Sequence, residues 1–202
     1  MKIINFGHSC FKIETENYSI IFDPYQNDSV PNLMLPNICC DEIFISHEHH
    51  DHNARELIVV KGSPLLKVKK VLTPHDKDNG KLRGNNFIHL VEIDNYKIAH
   101  LGDLGTLDTD LSILKEADII FSPINGFYTI SALEALKILE TFNPKIFIPM
   151  HYYNKHNNSG YPDGNQIDIF QSNLNRDIKY VKDEIVLDTN TSGVIIFKEA
   201  RQ

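Results

Sequence analysis

The segment Ser46-His47-Glu48-His49-His50-Asp51-His52 concentrates metal-binding chemistry more densely than any other stretch of the chain. It holds four of the ten histidines, and His47, His49, Asp51 and His52 fall at the positions of an H-x-H-x-D-H pattern. Neutral imidazole and carboxylate are the donors that borderline divalent cations such as Zn²⁺ prefer. The spacing argues against a helix, where two histidines sharing one face stand four residues apart. His47 and His49 are two apart and follow the apolar run Ile43-Phe44-Ile45. Both side chains can then point the same way only on extended or looped backbone. Asp51 and His52 curl back and can serve a second ion. A solvated surface cluster is the competing reading; the strand leading straight in, and the aspartate within the motif, count against it.

Three more apolar runs end in similar chemistry. Val71-Leu72-Thr73-Pro74 precedes His75-Asp76, Ile98-Ala99-His100-Leu101-Gly102 precedes Asp103, and Ile146-Phe147-Ile148-Pro149-Met150 precedes His151. Each residue alone reads as an ordinary turn residue. Four strands delivering His or Asp at their C-terminal ends describe a scaffold that assembles one site from distant sequence.

These residues resemble the metallo-β-lactamase-fold superfamily of hydrolases, and within it the compact branch that includes the ascorbate-phosphate lactonase-like proteins. The likeness runs nearly end to end, through Gly7-His8-Ser9-Cys10-Phe11, Asp23-Pro24, Ser46 to His52, His100-Leu101-Gly102-Asp103 and Pro149-Met150-His151-Tyr152. It implies an α/β fold, a four-layer αββα sandwich of two similar halves with a metal cleft along one edge. Carried over by matching position, His47, His49 and His75 bind one metal, Asp51, His52 and His151 bind a second, and Asp103 bridges them. The resemblance implies two divalent ions, zinc foremost with manganese or iron as alternatives, sharing a water whose pKa falls to about 7. The resulting hydroxide would cleave a small ester or lactone, an amide or a phosphoester. A metal-binding or sensor protein of the same fold without turnover is the alternative.

Departures from the wider superfamily narrow the expectation. The gap from His52 to His75 is short, which disfavours antibiotic hydrolysis, and no inserted nucleic-acid-clamping domain is present. His49 stands where the diiron oxygen-reducing members resemble one another in using Glu. Asp51 and His8 are the catalytic candidates. His8 lies in the turn between the first two strands, as a substrate-binding or proton-transfer group or as a structural hydrogen-bond partner. Arg83 could grip an anionic substrate bidentately or form a loop salt bridge. Tyr128 could reach the cleft or pack in the core or a loop. His50, His89 and His156 are read as non-ligands.

His75 and His100 compete as the third histidine of the first metal. Thr73 precedes a proline and is biased to extended geometry, so the strand should run out there and free His75. His100 lies within its strand, three residues before Asp103, and alternation would turn the two to opposite faces. His75 is therefore favoured, with His100 a hydrogen-bond partner behind a ligand; the choice stays open at this point.

Positioning these groups requires many short strands. Runs at 2–6, 11–14, 18–22, 43–45, 68–72, 87–93 and 96–101 read as strands, the last two as a hairpin around Asp94-Asn95. Segment 24–37 reads as a loop, 54–60 as a short helix ended by Gly62 and Pro64, and 74–85 as a polar loop. The second half adds helices at 111–117 and 166–174, with strands at 119–121, 146–148 and near Val181 and 195–197. Ser131-Ala132-Leu133-Glu134 has capping-box spacing and opens a helix with Leu133, Leu136 and Leu139 on its apolar face, stopped by Asn143-Pro144. The composition shows no shift that would mark a linker, so one domain over 1–202 is expected.

A net charge of −7, and no Lys/Arg run longer than Lys69-Lys70, leave nucleic-acid or anionic-membrane binding without its electrostatic footprint. A small-molecule substrate is expected instead, and the sequence leaves the oligomeric state open. Cys10, Cys39 and Cys40 lack C-x-x-C spacing, which fits a reducing compartment, with the vicinal pair as buried thiols rather than a redox or metal site. With no signal-peptide-like apolar stretch at the N-terminus and no spanning segment, the chain is expected in the cytoplasm.

Overall fold

The computed structural model describes residues 1–62 and 66–202. Along the chain come β1 (Lys2–Gly7), β2 (Cys10–Glu14), β3 (Ser19–Phe22), β4 (Ile38–Cys40), β5 (Glu42–Phe44), β6 (Ile58–Val60) and β7 (Lys67–Pro74). Then follow β8 (Asn85–Ile93), β9 (Tyr96–His100), β10 (Ile119–Pro123), α1 (Ala132–Phe142), β11 (Ile146–Met150), α2 (Ile167–Asn173), β12 (Ile178–Val181), β13 (Glu184–Val186) and β14 (Gly193–Phe197). One sheet has the order β13-β1-β2-β3-β5, a second β12-β14-β11-β10-β9-β8-β7, and β4 pairs with β6 apart from both.

Side-chain alternation explains why the central strands read as unbroken apolar runs. On β10 and β11, Ile119, Phe121, Ile146 and Ile148 point into the space between the two sheets, where they meet Ile3, Phe11, Ile13, Ile20 and Phe22. Ile120 and Phe147 point the other way, against Ala135, Leu136 and Leu139 of α1 and Phe170 of α2. Strands in parallel pairs, covered on both faces, have no polar side to show. Each fully buried Ile or Phe contributes roughly 1.5–3 kcal/mol, so this double-sided packing is what holds the strand ends still. The result is a layered α/β sandwich of the kind the resemblance implies. Over the outer face of the smaller sheet, segment 24–37 and β4–β6 form the covering layer: Tyr25, Val30, Leu33 and Ile38 pack on Ile4, Phe6 and Ile21.

The directions of the strands matter most for function. β1, β3 and β5 run one way in the first sheet, and β7, β9, β10 and β11 run in a common direction in the second. Their C-terminal ends, and the residues that follow them, meet along one edge of the sandwich.

Several elements differ from the sequence expectation. Segment 54–60 is not a helix: Arg55–Leu57 make one 3₁₀ turn, and Ile58-Val59-Val60 extend as β6 alongside β4. The β-branched run prevails over a single turn of helix. Gly62 follows β6, and Pro64 lies outside the described residues. Likewise 111–117 holds the 3₁₀ turn Ser112–Glu116. β7 continues to Pro74, whose missing N–H costs nothing on an edge strand. The Ser131 capping box forms as expected, but α1 buries Ala132, Ala135, Leu136, Ile138 and Leu139 and leaves Leu133 51% exposed. The i, i+3, i+4, i+7 stripe starts at Ala132, one residue earlier than the leucine spacing suggested. Cys39 and Cys40 alternate on β4, so their side chains take opposite faces, with Cys40 buried. Among the described residues no helix is long and apolar enough to cross a membrane.

One buried histidine outside the strand-end edge sets a measurable pH dependence. His89 faces Phe44 and Phe87, and its Nδ1 has no hydrogen-bond partner among the described residues. Burial pushes its pKa down to about 4, from an ordinary imidazole value of about 6.5. The unfolded chain therefore binds this proton first as pH falls. The stability is intact above about pH 6.5 and is lost progressively toward pH 4. In metal-free protein, His89→Leu should shrink the difference in unfolding free energy between pH 7 and pH 4 by about 3 kcal/mol. Urea titrations at the two pH values measure it; equal differences in wild type and variant would disprove the assignment.

Candidate metal centre

Six strand ends supply the site. His8 follows β1, Asp23 follows β3, the 47–52 motif follows β5, His75 follows β7, Asp103 follows β9 and His151 follows β11. Continued strands would turn alternate side chains away, so the backbone breaks its extended run at these points. His8, Asp23 and His151 adopt left-handed φ of 55°, 42° and 58°, a conformation few non-glycine residues take without support. His151 N–H donates to His8 O at 3.1 Å, tying the end of one sheet to the other. Gly102 has φ 52°, and a Cβ there would collide with Ser46 and Asn86; this turn aims Asp103 into the edge. Asn86 holds the turn, taking Asp103 N–H at 2.9 Å and donating to Leu101 O at 2.8 Å.

The donors meet around Asp103. Its Oδ2 lies 3.1 Å from His151 Nε2, 3.3 Å from both His52 Nε2 and His75 Nε2, and 3.9 Å from His47 Nε2. Three overlapping sets have donor atoms within 4.8 Å of one another: His47, His49 and His75; His8, Asp51, His52 and His151; and His47, His52 and Asp103. All these side chains are buried except half-buried Asp51 and exposed His49.

Asp23 orients two of the rings. Its Oδ1 accepts Ser46 N–H at 2.7 Å, and its Oδ2 accepts the Ser46 hydroxyl at 2.6 Å and His52 Nδ1–H at 3.0 Å. With its proton committed to Asp23, the Ser46 hydroxyl can only accept from His47 Nδ1–H, 2.9 Å away. With Nδ1 of each ring committed in this way, Nε2 of both is turned toward Asp103.

The electrostatics are those of a cation site. Burial opposes charge on Asp103, yet His151 and His52 outweigh it and hold the carboxyl well below its ordinary value. Burial likewise opposes charge on Asp51 and Asp23; His8, 3.3 Å from Asp51, and the His52 hydrogen bond to Asp23 keep both ionised. Burial lowers His47 to about 3 and His8 to about 4, so both are neutral at pH 7. For His52, Asp103 and Asp23 overcome burial and raise its pKa well above the imidazole norm. His47 Nε2, His52 Nε2, His8 Nε2 and Asp103 Oδ1 are buried with no well-aligned hydrogen-bond partner among the described residues. Unpaired buried polar atoms are costly, and so many converging at one point fit a divalent metal.

Every residue the sequence singled out as a metal donor thus reaches this edge. His8 does more than line it: its Nε2 joins the Asp51, His52 and His151 set, 3.3 Å from Asp51 Oδ2. His100 turns the other way, stacked flat on Phe22, with Nε2–H on Ser9 O at 2.9 Å and Nδ1 accepting Gly102 N–H at 3.2 Å. Arg83 and Tyr128 line the cavity of about 270 Å³ above the donors. Sequence reasoning missed the orienting role of Asp23, although Asp23-Pro24 stood in the family likeness. It also missed Tyr161, whose hydroxyl donates to Ser29 O at 2.7 Å and lies 3.3 Å from Asp51 Oδ2. Tyr161 comes from a loop of Asn, Gly and Pro residues, where no periodicity signals a side chain's direction.

Comparison with known proteins agrees with this geometry. Residues 2–151 match the family described as the beta-lactamase superfamily domain. A UPF0173 protein of Pyrococcus abyssi is 28% identical over 75% of this chain and 83% of its own length. A UPF0173 metal-dependent hydrolase of Carboxydothermus hydrogenoformans is 29% identical over 75% of this chain and 84% of its own. A solved structure from Thermotoga maritima, described as a candidate Zn-dependent hydrolase of the metallo-β-lactamase superfamily, superposes with a TM-score of 0.76 at 27% identity, covering 97% of each chain. The chain belongs to the metallo-β-lactamase superfamily, and relatives among those above are named metal-dependent hydrolases.

If Asp23 orients His52 and, through Ser46, His47, then Asp23→Asn should weaken metal affinity by about 10–100-fold, the range for lost partners of ligating histidines. Ser46→Ala, which removes the His47 arm and one Asp23 hydrogen bond but leaves the Asp23–His52 contact, should cost less. Competition against a chelator of known affinity measures both; an unchanged affinity in Asp23→Asn would refute the role.

Proposed function

We propose that the chain holds two divalent metal ions, zinc foremost, and hydrolyses a small ester or lactone, an amide or a phosphoester. The observation that carries this reading is the position of Asp103, between a three-histidine donor set and a second set of His8, Asp51, His52 and His151. In this reading His47, His49 and His75 hold one ion and Asp51, His52 and His151 the other, with Asp103 shared. Bound there, the pair would supply Lewis acidity toward a carbonyl or phosphoryl oxygen and make a water acidic enough to attack near neutral pH.

The chain's own groups supply the rest. His8, neutral and beside Asp51, can take up and release a proton at Nε2. Asp51 orients His8 and, in turn, lies next to the Tyr161 hydroxyl. Tyr128 and Tyr161 wall the cavity, and its volume of about 270 Å³ suits a small molecule. The donors span His8 to His151, and Ile3 and Phe197 share one core cluster; both support reading the chain as one domain. Three unpaired cysteines support a reducing, cytoplasmic setting.

Elemental analysis of the purified protein, or titration after chelation, should give close to two metal equivalents, and chelation should abolish hydrolysis reversibly. Saturation at one equivalent, or no uptake, would overturn the dinuclear reading.

The two rival histidines give a sharper comparison. His75→Ala should lose metal from the first site at fixed free metal. His100→Ala should retain both ions, although it removes the hydrogen bonds to Ser9 and Gly102 and so lowers thermal stability. Loss of first-site metal from His100→Ala with His75→Ala fully loaded would reverse the roles.

A further inference from the structure

The cavity above the donors shares a wall with a second one. Arg83 and His49 line both, and the second, of about 500 Å³, extends over β8. Alternation along β8 brings Asn85, Phe87 and His89 to this face, and Lys70 of β7 stands directly opposite His89 in the register. Lys70 Nζ lies over the Phe87 ring, 4.7 Å from its centroid.

The charges on this wall run against the rest of the molecule. In a chain of net charge −7, Arg83 and Lys70 have no carboxylate within 4 Å among the described residues, although other surface cations form ion pairs. The third cation lining the second cavity, Arg55, is engaged by both carboxylate oxygens of Glu48, at 2.8 and 2.6 Å, and Glu48 is the sole carboxylate on that lining. His89, 6% exposed, adds a buried Nδ1 without a partner.

Arg83 is also held in place. The carboxylate of Asp76, next to His75, accepts the backbone N–H groups of Asp78, Gly80, Leu82 and Arg83 at 2.8–3.1 Å. The Arg83 guanidinium lies 4.9 Å from the centroid of Tyr128, which braces it against the cavity wall. A guanidinium so fixed, and not neutralised, is a ready fork for a carboxylate or phosphate.

We propose that the substrate carries an anionic group, a carboxylate or a phosphate monoester, seated between Arg83 and Lys70 while its scissile bond lies over Asp103. This rests on the reading of the donor cluster as the catalytic centre. Arg83 is then the specificity-determining residue. It excludes neutral analogues and fixes which bond of an anionic molecule faces the donors.

The test titrates metal-loaded protein with phenylphosphonate, benzoate and neutral benzamide, followed by amide chemical shifts. At least one anion should bind about tenfold or more tighter than benzamide, with shifts at Arg83 and His89; which of the two binds separates phosphate from carboxylate recognition. Arg83→Gln and Lys70→Gln should each weaken that binding by about tenfold, and Arg83→Lys should recover part of it. Benzamide binding as tightly as both anions, no anion binding, or anion affinity unchanged in Arg83→Gln would overturn the proposal. Metal content measured on the same samples keeps the two readings apart. Loaded metal with Arg83-independent binding defeats this proposal alone, whereas failure to load metal defeats the dinuclear reading.

Discussion

His52 stands between two carboxylates that come from different sheets. Asp23, at the end of β3, meets its Nδ1 at 3.0 Å, and Asp103, beyond β9, lies 3.3 Å from its Nε2. All three are at most 2% exposed. Moving charges this far from water is expensive, and the attraction between them repays that only when geometry and further hydrogen bonds are good. Asp23 meets the condition with Ser46 N–H, Ser46 hydroxyl and His52. Asp103 does not meet it within the protein, because Oδ1 has no partner among the described residues. Asp23 is therefore satisfied by the protein itself, whereas Asp103 presents a buried carboxylate oxygen of the kind a divalent cation takes.

That requirement propagates outward into backbone geometry. Side chains from two sheets can converge on one point only if each strand stops its alternation at its end. The left-handed residues His8, Asp23 and His151, and Gly102 before Asp103, perform that stop. Non-glycine residues in this region cost on the order of 1–3 kcal/mol each. The strain persists because the strands behind it are fixed by apolar packing on both faces, with Ile119, Ile120, Phe121, Ile146, Phe147 and Ile148 at 0% exposure. Gly105 shows the same tightness without unusual φ: its N–H donates to Pro74 O at 3.0 Å, and a Cβ there would collide with the His75–Asp76 backbone. The site's precision thus depends on the stability of the apolar core behind it.

Much of this was legible in the sequence, and the reason is directional. A donor immediately after a short apolar run has one place to go, the strand's C-terminal end, so His47 to His52, His75, Asp103 and His151 could be gathered from spacing and family likeness. His100, expected to face away from Asp103, stacks on Phe22 in the core, the strand ending there and Gly102 turning Asp103 aside. What failed was information that spacing does not hold. Asp23 looks like a turn residue before a proline, and nothing local says that its carboxylate will meet a hydroxyl and a ring more than twenty positions away. Segment 54–60 has composition compatible with a helix, and only the pairing of β6 with β4 decides otherwise. In α1, the leucines suggested a stripe through Leu133, but alanines, too small to dominate a hydrophobic pattern, mark the true buried face.

The floor and the walls of the cavity have different physical origins. Strand ends supply the floor, where small displacements would separate donor atoms that lie within 4.8 Å of one another. Loops supply the walls: Arg83 from the turn after His75, Tyr128 from the segment before α1, and Tyr161 from the segment before α2. Loops anchored on a rigid scaffold are where recognition can differ while chemistry stays constant. Asp76 joins the two. Its position in sequence belongs to the floor, directly after His75, yet its carboxylate organises the turn that presents Arg83. The Pro74–Gly105 contact fixes the backbone just ahead of it. His75 N–H in turn donates to Gly84 O at 3.0 Å, so the turn that presents Arg83 is tied to the donor strand at both His75 and Asp76, and wall and floor are held in one register.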